Sequence, residues 1–334
     1  MPLKLALYGY DTDIGRLVIE TLEEDKELEL EDFFPLSPLS GEYDAVRLKK
    51  RNYFVSPAAG FDFARADIAL FITTPDESSR LADRARERGS IVIDNSRLFS
   101  GDGSTLTVLP RINGYELKRA LETRLVIPAT APTVQLALSL LPFADEYGLS
   151  RVTATLIEAV SERGRLGTET LARETTMLLN GMHAEHEGFP EQVAFNLHTR
   201  IGEAGEDGFS EHERVIRREL ETLFGGVRWE LTCVQAPIFY GHTLCVTADL
   251  EKPAGGPREV RELLEGYEDI ELSDEVLTPV THAVNRRGLV LGRLRLSRPA
   301  NRTVSFVSLM DNSRLGEAVT CVELVKNLAK IMHK

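Results

Sequence analysis

Lys4–Tyr8 (KLALY), Gly9–Gly15 (GYDTDIG) and Arg16–Glu24 (RLVIETLEE) decide the reading of the first third of the chain. A short β-like run, a glycine turn and a helical period in that order open a dinucleotide-binding βαβ unit. Glycines let the backbone approach a pyrophosphate, and the helix N-terminus offers N–H groups and positive dipole. Further units follow. Asp67–Thr74 (DIALFITT) and Ser90–Asp94 (SIVID) are buried-strand types, with a helix predicted over Ser78–Arg88 between them and short apolar runs at 106–110 and 125–128. Strands alternating with helices predict a mostly parallel, doubly wound sheet. The loop departs from a full fingerprint, because Thr12 stands at the middle glycine position and Asp11 and Asp13 add negative charge. A tight strand-to-helix turn that binds nothing has the same pattern, so both readings stand.

With 334 residues, the chain has the length of about two domains. It is 43% hydrophobic and 27% charged, which excludes a disordered chain. The 39 Lys and Arg against 52 Asp and Glu give a net charge of -13 with no basic block, so neither nucleic acid nor an anionic membrane is an expected partner. Three cysteines, Cys233, Cys245 and Cys321, are too few for a disulfide framework and suit a cytoplasmic location. The short apolar start is interrupted by Asp11 and Asp13, so export is not expected, and no stretch has the length of a spanning helix.

From about Ala131 the texture changes. Helices are predicted over Pro132–Leu141, Thr168–Asn180 and Phe209–Phe224. Strands are predicted over Arg151–Val160, Glu230–Pro237, Gly241–Leu250, Leu289–Ser297 and Thr303–Asp311. A large mixed sheet with helices on one side is the expected product. A last helix, Leu315–His333, is expected to return to the first domain. The fold class is therefore α/β, with a Rossmann-like doubly wound sheet followed by an α+β domain. The expected division is 1–130 plus 312–334, and 131–311.

The order and spacing of GYDTDIG (9–15), DIALF (67–71), IDNSRLF (93–99), AVSERGR (159–165), VAFNLHTRIGE (193–203), APIFYGH (236–242), LGRLR (291–295) and DNSRLGEA (311–318) resemble the aspartate-semialdehyde dehydrogenase family, and within it the Usg-type sister group. The resemblance implies a homodimer, an N-terminal NADP- or NAD-binding domain completed by the last helix, and a catalytic and dimerisation domain between. It also implies reduction of an aspartyl phosphate through a cysteine thiolate, a proton-moving histidine and a nicotinamide hydride.

On that resemblance, Ala131 in Thr130-Ala131-Pro132-Thr133-Val134-Gln135 stands at the nucleophile's position. A methyl group cannot attack a carbonyl. Thr130 and Thr133 carry unactivated hydroxyls, and Thr130 is simply read as an N-cap, with Pro132 in the first turn. His242 matches the acid–base histidine, and Cys245 falls on the opposite strand face. Glu211 and Arg214 match a substrate-binding Glu–Lys pair, or form an exposed ion pair. Gln235 stands for a carboxylate-binding arginine, Glu158 for a substrate-contacting glutamine and Ser100 for a phosphate-binding arginine, with Arg97 read as surface. Gly9, Thr12, Asp13, Ile14, Gly15 and Asn312 would line the cofactor. Leu39 replaces an arginine facing a 2′-phosphate, and Glu323 a glutamine, so cofactor binding is expected to be weak or absent.

His183-Ala184-Glu185-His186-Glu187 offers metal-ligand residue types without an evident third ligand, and no metal is expected. Two functions remain. One is a homodimer that has lost the family reaction and has become a pseudoenzyme serving binding or assembly. The other is an NAD(P)-dependent oxidoreductase of amino-acid metabolism that acts on an aldehyde or oxo group without a covalent intermediate.

Overall fold

The computed structural model describes residues 2–38, 44–100, 105–297 and 299–332. Leu39 and His333 lie outside the described residues. The chain forms two compact units, Met1–Ala129 with Glu317–Lys334, and Thr130–Gly316.

The first unit is built on a seven-stranded sheet. Its strand order is Ser56–Pro57, Leu30–Ser37, Leu3–Tyr8, Ile68–Phe71, Ile91–Asp94, Leu125–Pro128, Thr107–Val108. Every pairing in it is parallel. The apolar runs are continuous because both faces are covered. Leu5 and Leu7 enter one core with Val18 and Leu22, while Ala6 and Tyr8 enter the other with Phe34, Phe63 and Phe71. The first helix is Asp13–Glu24, three residues longer at its start than periodicity predicts, because Thr12 caps it. Pro75–Glu87 also starts early, with Thr74 and Glu77 forming a capping box. Leu30–Ser37 is a strand that the sequence did not announce. Pro35 argues against a central strand, but the outer neighbour pairs only with Leu36 and Ser37.

The chain's last helical segment opens as a π-helix at Asn312–Val319 and continues as an α-helix over Thr320–Met332. Leu324, Val325 and Leu328 of the α-helix pack into the first sheet's core. Its polar clamp is Lys326, whose Nζ lies 2.8 Å from Asp25 Oδ2 and 3.0 Å from Glu27 Oε2. Burial alone would raise the Asp25 carboxyl. The Lys326 hydrogen bond, with the amides of Leu28 and Glu27, instead holds it below the ordinary carboxylate range. A depressed folded value contributes stability above the unfolded Asp value of about 3.9, and this is lost as pH falls through the folded value. Lys326→Ala is expected to cost on the order of 1 kcal/mol at neutral pH and to flatten acid unfolding below pH ~4. Urea titrations of the two proteins across that window check both effects.

The second unit holds a six-stranded mixed sheet. Its order is Arg228–Gln235, Leu149–Glu158, His242–Leu250, Thr303–Met310, Leu289–Leu296, Ile270–Ser273. The Ala131–Tyr147 helix is almost wholly buried, and its Phe143 stacks on Phe306 with centroids 5.6 Å apart. That face of the sheet is apolar. The opposite face exposes Thr153, Thr232, Thr247, Cys245, Arg293 and Arg295. Cys245 thus lies opposite His242, as strand alternation predicts. The helix Glu211–Leu223 lies within the predicted Phe209–Phe224 and Gly164–Leu179 starts four residues before the predicted Thr168, whereas the Pro257–Glu265 helix and the Ile270–Ser273 strand were not foreseen.

Candidate functional site

In the first unit, the turn after Leu3–Tyr8 is shaped by its glycines. Gly9 has φ +89°, and a Cβ there would meet the Ile72 carbonyl oxygen at 2.0 Å. A Cβ on Gly15 would meet the Gly9 carbonyl oxygen at the same distance. The turn itself therefore requires both glycines, whatever it binds. Thr12 Oγ1 donates to the Gly9 carbonyl at 2.8 Å and accepts from the Gly15 amide at 2.9 Å. One of the N–H groups that a pyrophosphate would use is already occupied. The first-turn amides of Asp13 and Ile14 have no partner inside the helix. Asp11 is exposed and Asp13 half-buried beside them. The helix start therefore presents the Asp13 and Ile14 amides with two carboxylates beside them. Arg97, read as surface, is half-buried with φ +71°, and its Nη1 lies 3.4 Å from the Pro128 carbonyl oxygen. Ser100 is half-buried.

In the second unit, the N-terminus of the Ala131–Tyr147 helix is held by a carboxylate. Thr130 sits at the N-cap with φ -63° and ψ 151°, but its hydroxyl accepts no hydrogen bond from the helix, contrary to the capping role expected for it. The cap is Glu219, whose Oε2 accepts from Thr130 N at 3.0 Å, Thr130 Oγ1 at 2.6 Å and Thr133 Oγ1 at 2.5 Å. Ala131 is fully buried. Its methyl packs against Gly316, where an added Cβ would come within 2.6 Å of it.

His242 is the centre of a buried polar cluster in the same unit. Its Nδ1 accepts from Ala159 N at 3.1 Å, and its Nε2 lies 3.1 Å from Glu162 Oε2. A backbone amide can only donate, so the ring proton is on Nε2 and is given to Glu162. Glu158, fully buried, receives His212 Nε2 at 2.8 and 3.0 Å on its two oxygens. Gln235 Nε2 donates to the Glu158 carbonyl at 2.7 Å, which ties adjacent strand ends together. Burial pushes the Cys233 thiol up, and the carboxylates of Glu158, Glu213 and Glu162 push it further. Asn312 Oδ1 accepts from Ser161 Oγ and Gly241 N, while its buried Nδ2 has no hydrogen-bond partner among the described residues.

Of the residues singled out in the sequence, His242, Glu158 and Gln235 come together. Glu211 and Arg214 do not join them. Glu211 is exposed and pairs with Arg218 at 2.7 Å and Arg214 at 3.6 Å, and Arg214 also binds Asp207. His186 and Glu187 of the His-rich stretch are tied to Glu174 and Arg173. Sequence reasoning missed Glu162, His212, Cys233 and Glu219 as site residues. A signal existed for two of them. Ile216 and Leu220 mark the buried face of the Glu211–Leu223 helix, and helical spacing puts His212 and Glu219 on that face.

Comparison with known proteins bears on both units. Residues 4–120 match the model described as semialdehyde dehydrogenase, NAD binding domain. Residues 140–315 match the model described as semialdehyde dehydrogenase, dimerisation domain. Aspartate-semialdehyde dehydrogenase 2 of Vibrio cholerae is 28% identical over 98% of this chain and 97% of its own. A USG-1 protein homolog of Azotobacter vinelandii is 28% identical over 98% of each chain, in keeping with the Usg-type resemblance. The crystal structure of aspartate semialdehyde dehydrogenase II from Vibrio cholerae complexed with ASA is similar at a TM-score of 0.92, with 28% identity and 99% of each chain covered. With both domain models matched in order and the fold shared along its length, the chain belongs to the aspartate-semialdehyde dehydrogenase family.

Proposed function

We propose that this family member is a cytoplasmic homodimer that binds a dinucleotide weakly and does not carry out the family's thiol-dependent reduction. The observation that carries this reading is the N-terminus of the Ala131–Tyr147 helix. A buried methyl, that of Ala131, stands where the family resemblance expects the nucleophile, and the Glu219 carboxylate accepts from the neighbouring Thr130 amide. No other cysteine supplies the missing thiolate. Cys233 is buried with its thiol pushed up, Cys245 is on the opposite sheet face, and Cys321 is fully buried in the first unit's core. The domain assignment is 1–130 plus 312–334 for NAD(P) and 131–311 for dimerisation. The dimerisation-domain match and the uncovered, hydroxyl-rich sheet face support a two-fold pairing through that face.

A bound nicotinamide would supply hydride transfer. This chain's own residues would contribute the Asp13 and Ile14 amides to the phosphates. The second reading, reduction of an aldehyde or oxo group without a covalent intermediate, is favoured by the Asn312 Nδ2, which can donate to a carbonyl oxygen, whereas the Nε2–H of His242 is given to Glu162.

Dinucleotide titration by calorimetry tests the proposal, with sedimentation equilibrium on the same sample. The expected result is NADP or NAD binding no tighter than micromolar and a mass of twice 37.2 kDa. Thr12→Gly frees the Gly15 amide, and one charge-assisted hydrogen bond is worth about 1.5–3 kcal/mol. The variant should bind about tenfold tighter or better. Submicromolar binding by the unaltered protein, or no gain in the variant, would refute this account of the loop, and a monomer mass would refute the dimer.

A further inference from the structure

The cluster around Glu158 holds more metal-ligand chemistry than an acid–base histidine needs. Glu158, His212 and Cys233 each present one ligand atom, and the three atoms lie within 4.8 Å of one another. Glu158, Glu162 and His242 form a second such group. The two groups are not equivalent. His242 spends its Nδ1 lone pair on the Ala159 amide and carries its proton on Nε2, so neither ring nitrogen has a lone pair for a cation. His212 differs, since its Nε2 points straight at the Glu158 carboxylate.

We propose that Glu158, His212 and Cys233 form a binding site for a divalent transition-metal ion of the zinc class. A carboxylate oxygen, an imidazole nitrogen and a thiolate sulfur make a borderline-soft donor set, which suits Zn²⁺ better than Mg²⁺ or Ca²⁺. Zinc bonds of about 2.0–2.3 Å put ligand atoms about 3.3–3.8 Å apart, so small side-chain shifts close the site. The ion takes the place of the hydrogen bond between His212 and Glu158. The imidazole proton moves to Nδ1, and the thiol proton leaves to solvent. Three protein ligands leave a fourth position for water, reached on the side of His212, the ligand that is partly exposed. The surroundings favour a cation. The carboxylates of Glu213 and Glu162 act on Cys233 along with that of Glu158, and Glu213 Oε1 accepts the Cys233 amide at 2.9 Å. Arg163 is the nearby opposing charge. It is drawn off by the Gly188 carbonyl at 2.6 Å and the Phe189 ring at 4.9 Å. The inference is independent of the proposed loss of the family reaction, because metal binding is read without dinucleotide or substrate.

The test uses the whole protein, stripped with a chelator and titrated with Co²⁺ alone. The expected result is one ion per protomer, a near-ultraviolet thiolate-to-cobalt charge-transfer band and intense visible bands of a four-coordinate ion, all abolished by added Zn²⁺. Cys233→Ser should lose the charge-transfer band, and His212→Ala should bind at least tenfold more weakly. Cys245→Ser and His183→Ala should match the unaltered protein. Circular dichroism shows which variants are folded, and the unaltered protein is decisive by itself. Absence of the charge-transfer band there overturns the proposal. So does a band that survives in Cys233→Ser, or one lost in Cys245→Ser, which would place the ion on the exposed sheet face.

Discussion

Ala131→Cys is expected to give a cysteine that reacts slowly with thiol reagents and turnover at least 100-fold below that of active family members. Three features of the second unit set this expectation. First, a nucleophilic cysteine must ionise, and a helix N-terminus normally favours the thiolate. Here the Glu219 carboxylate already occupies that end of the helix, accepting from Thr130 and Thr133, and a second negative charge beside it is disfavoured. Second, His242 has no lone pair on Nε2 with which to take the thiol proton, because that nitrogen donates to Glu162. Third, on the proposed assignment the substrate clamp is lost. Gln235 is committed to the Glu158 carbonyl, Arg214 to Asp207, and Glu158 would present a carboxylate to an acidic substrate. Near-attack positioning contributes roughly 7–11 kcal/mol in a well-organised site. Each lost charge-assisted contact removes about 1.5–3 kcal/mol, and two of them lower the rate by about two to four powers of ten. NADPH formation from aspartate semialdehyde and phosphate, with thiol labelling as the control, measures the outcome. Turnover at the family's ordinary rate would show that the cysteine alone separates this chain from an active enzyme.

The sequence disclosed the fold far better than the site, for a physical reason. Leu5, Leu7, Ile68 and Ile93 belong to buried parallel strands, and uninterrupted apolar runs are legible without knowing their partners. The Ala131–Tyr147 helix was equally plain from its apolar length, although its end ran six residues past the predicted Leu141. Leu30–Ser37 was not legible, since the sequence shows Pro35 but not where the neighbouring strand begins. The site depends on convergence of residues distant in sequence. His242 was found only through the motif around it, and its Glu162 partner sat unassigned inside the quoted AVSERGR stretch. Glu219 reads in sequence as one charge among many on an amphipathic helix. Helical spacing puts it on the buried face, but its partners are 86 and 89 residues away, so only the folded chain shows what it holds. Glu211 and Arg214 illustrate the converse: correct helical spacing made them neighbours, and the folded chain pairs them with Arg218 and Asp207.

Glu219→Ala is expected to be among the most destabilising single substitutions in the second unit. The carboxylate is 4% exposed and accepts three hydrogen bonds at one oxygen. It also lies against the positive end of the Ala131–Tyr147 helix, a favourable place for an anion. Truncation leaves the Thr130 amide buried without its acceptor. The two hydroxyls are better placed, because Thr130 Oγ1 lies 2.8 Å from Thr133 Oγ1 and one can still satisfy the other. A hydrogen bond to a charged group is worth about 1.5–3 kcal/mol, and an unsatisfied buried donor costs about 1–3 kcal/mol. The expected loss is therefore roughly 3–5 kcal/mol, a fall in melting temperature of about 6–20 °C for a unit of this size. Glu219→Gln separates charge from shape. Its amide oxygen can still accept from Thr130 N, but the charge assistance is gone and its NH2 faces hydroxyls that must reorient. About half the loss should return. Thermal melts followed by circular dichroism, with Glu211→Ala on the exposed flank as the comparison, measure these differences. If Glu219→Ala melted within 2 °C of the Glu211→Ala protein, the carboxylate would not be what anchors this helix. The charge argument against a thiolate at position 131 would then lose its support, leaving the His242 tautomer and the missing clamp to account for an inactive Ala131→Cys protein.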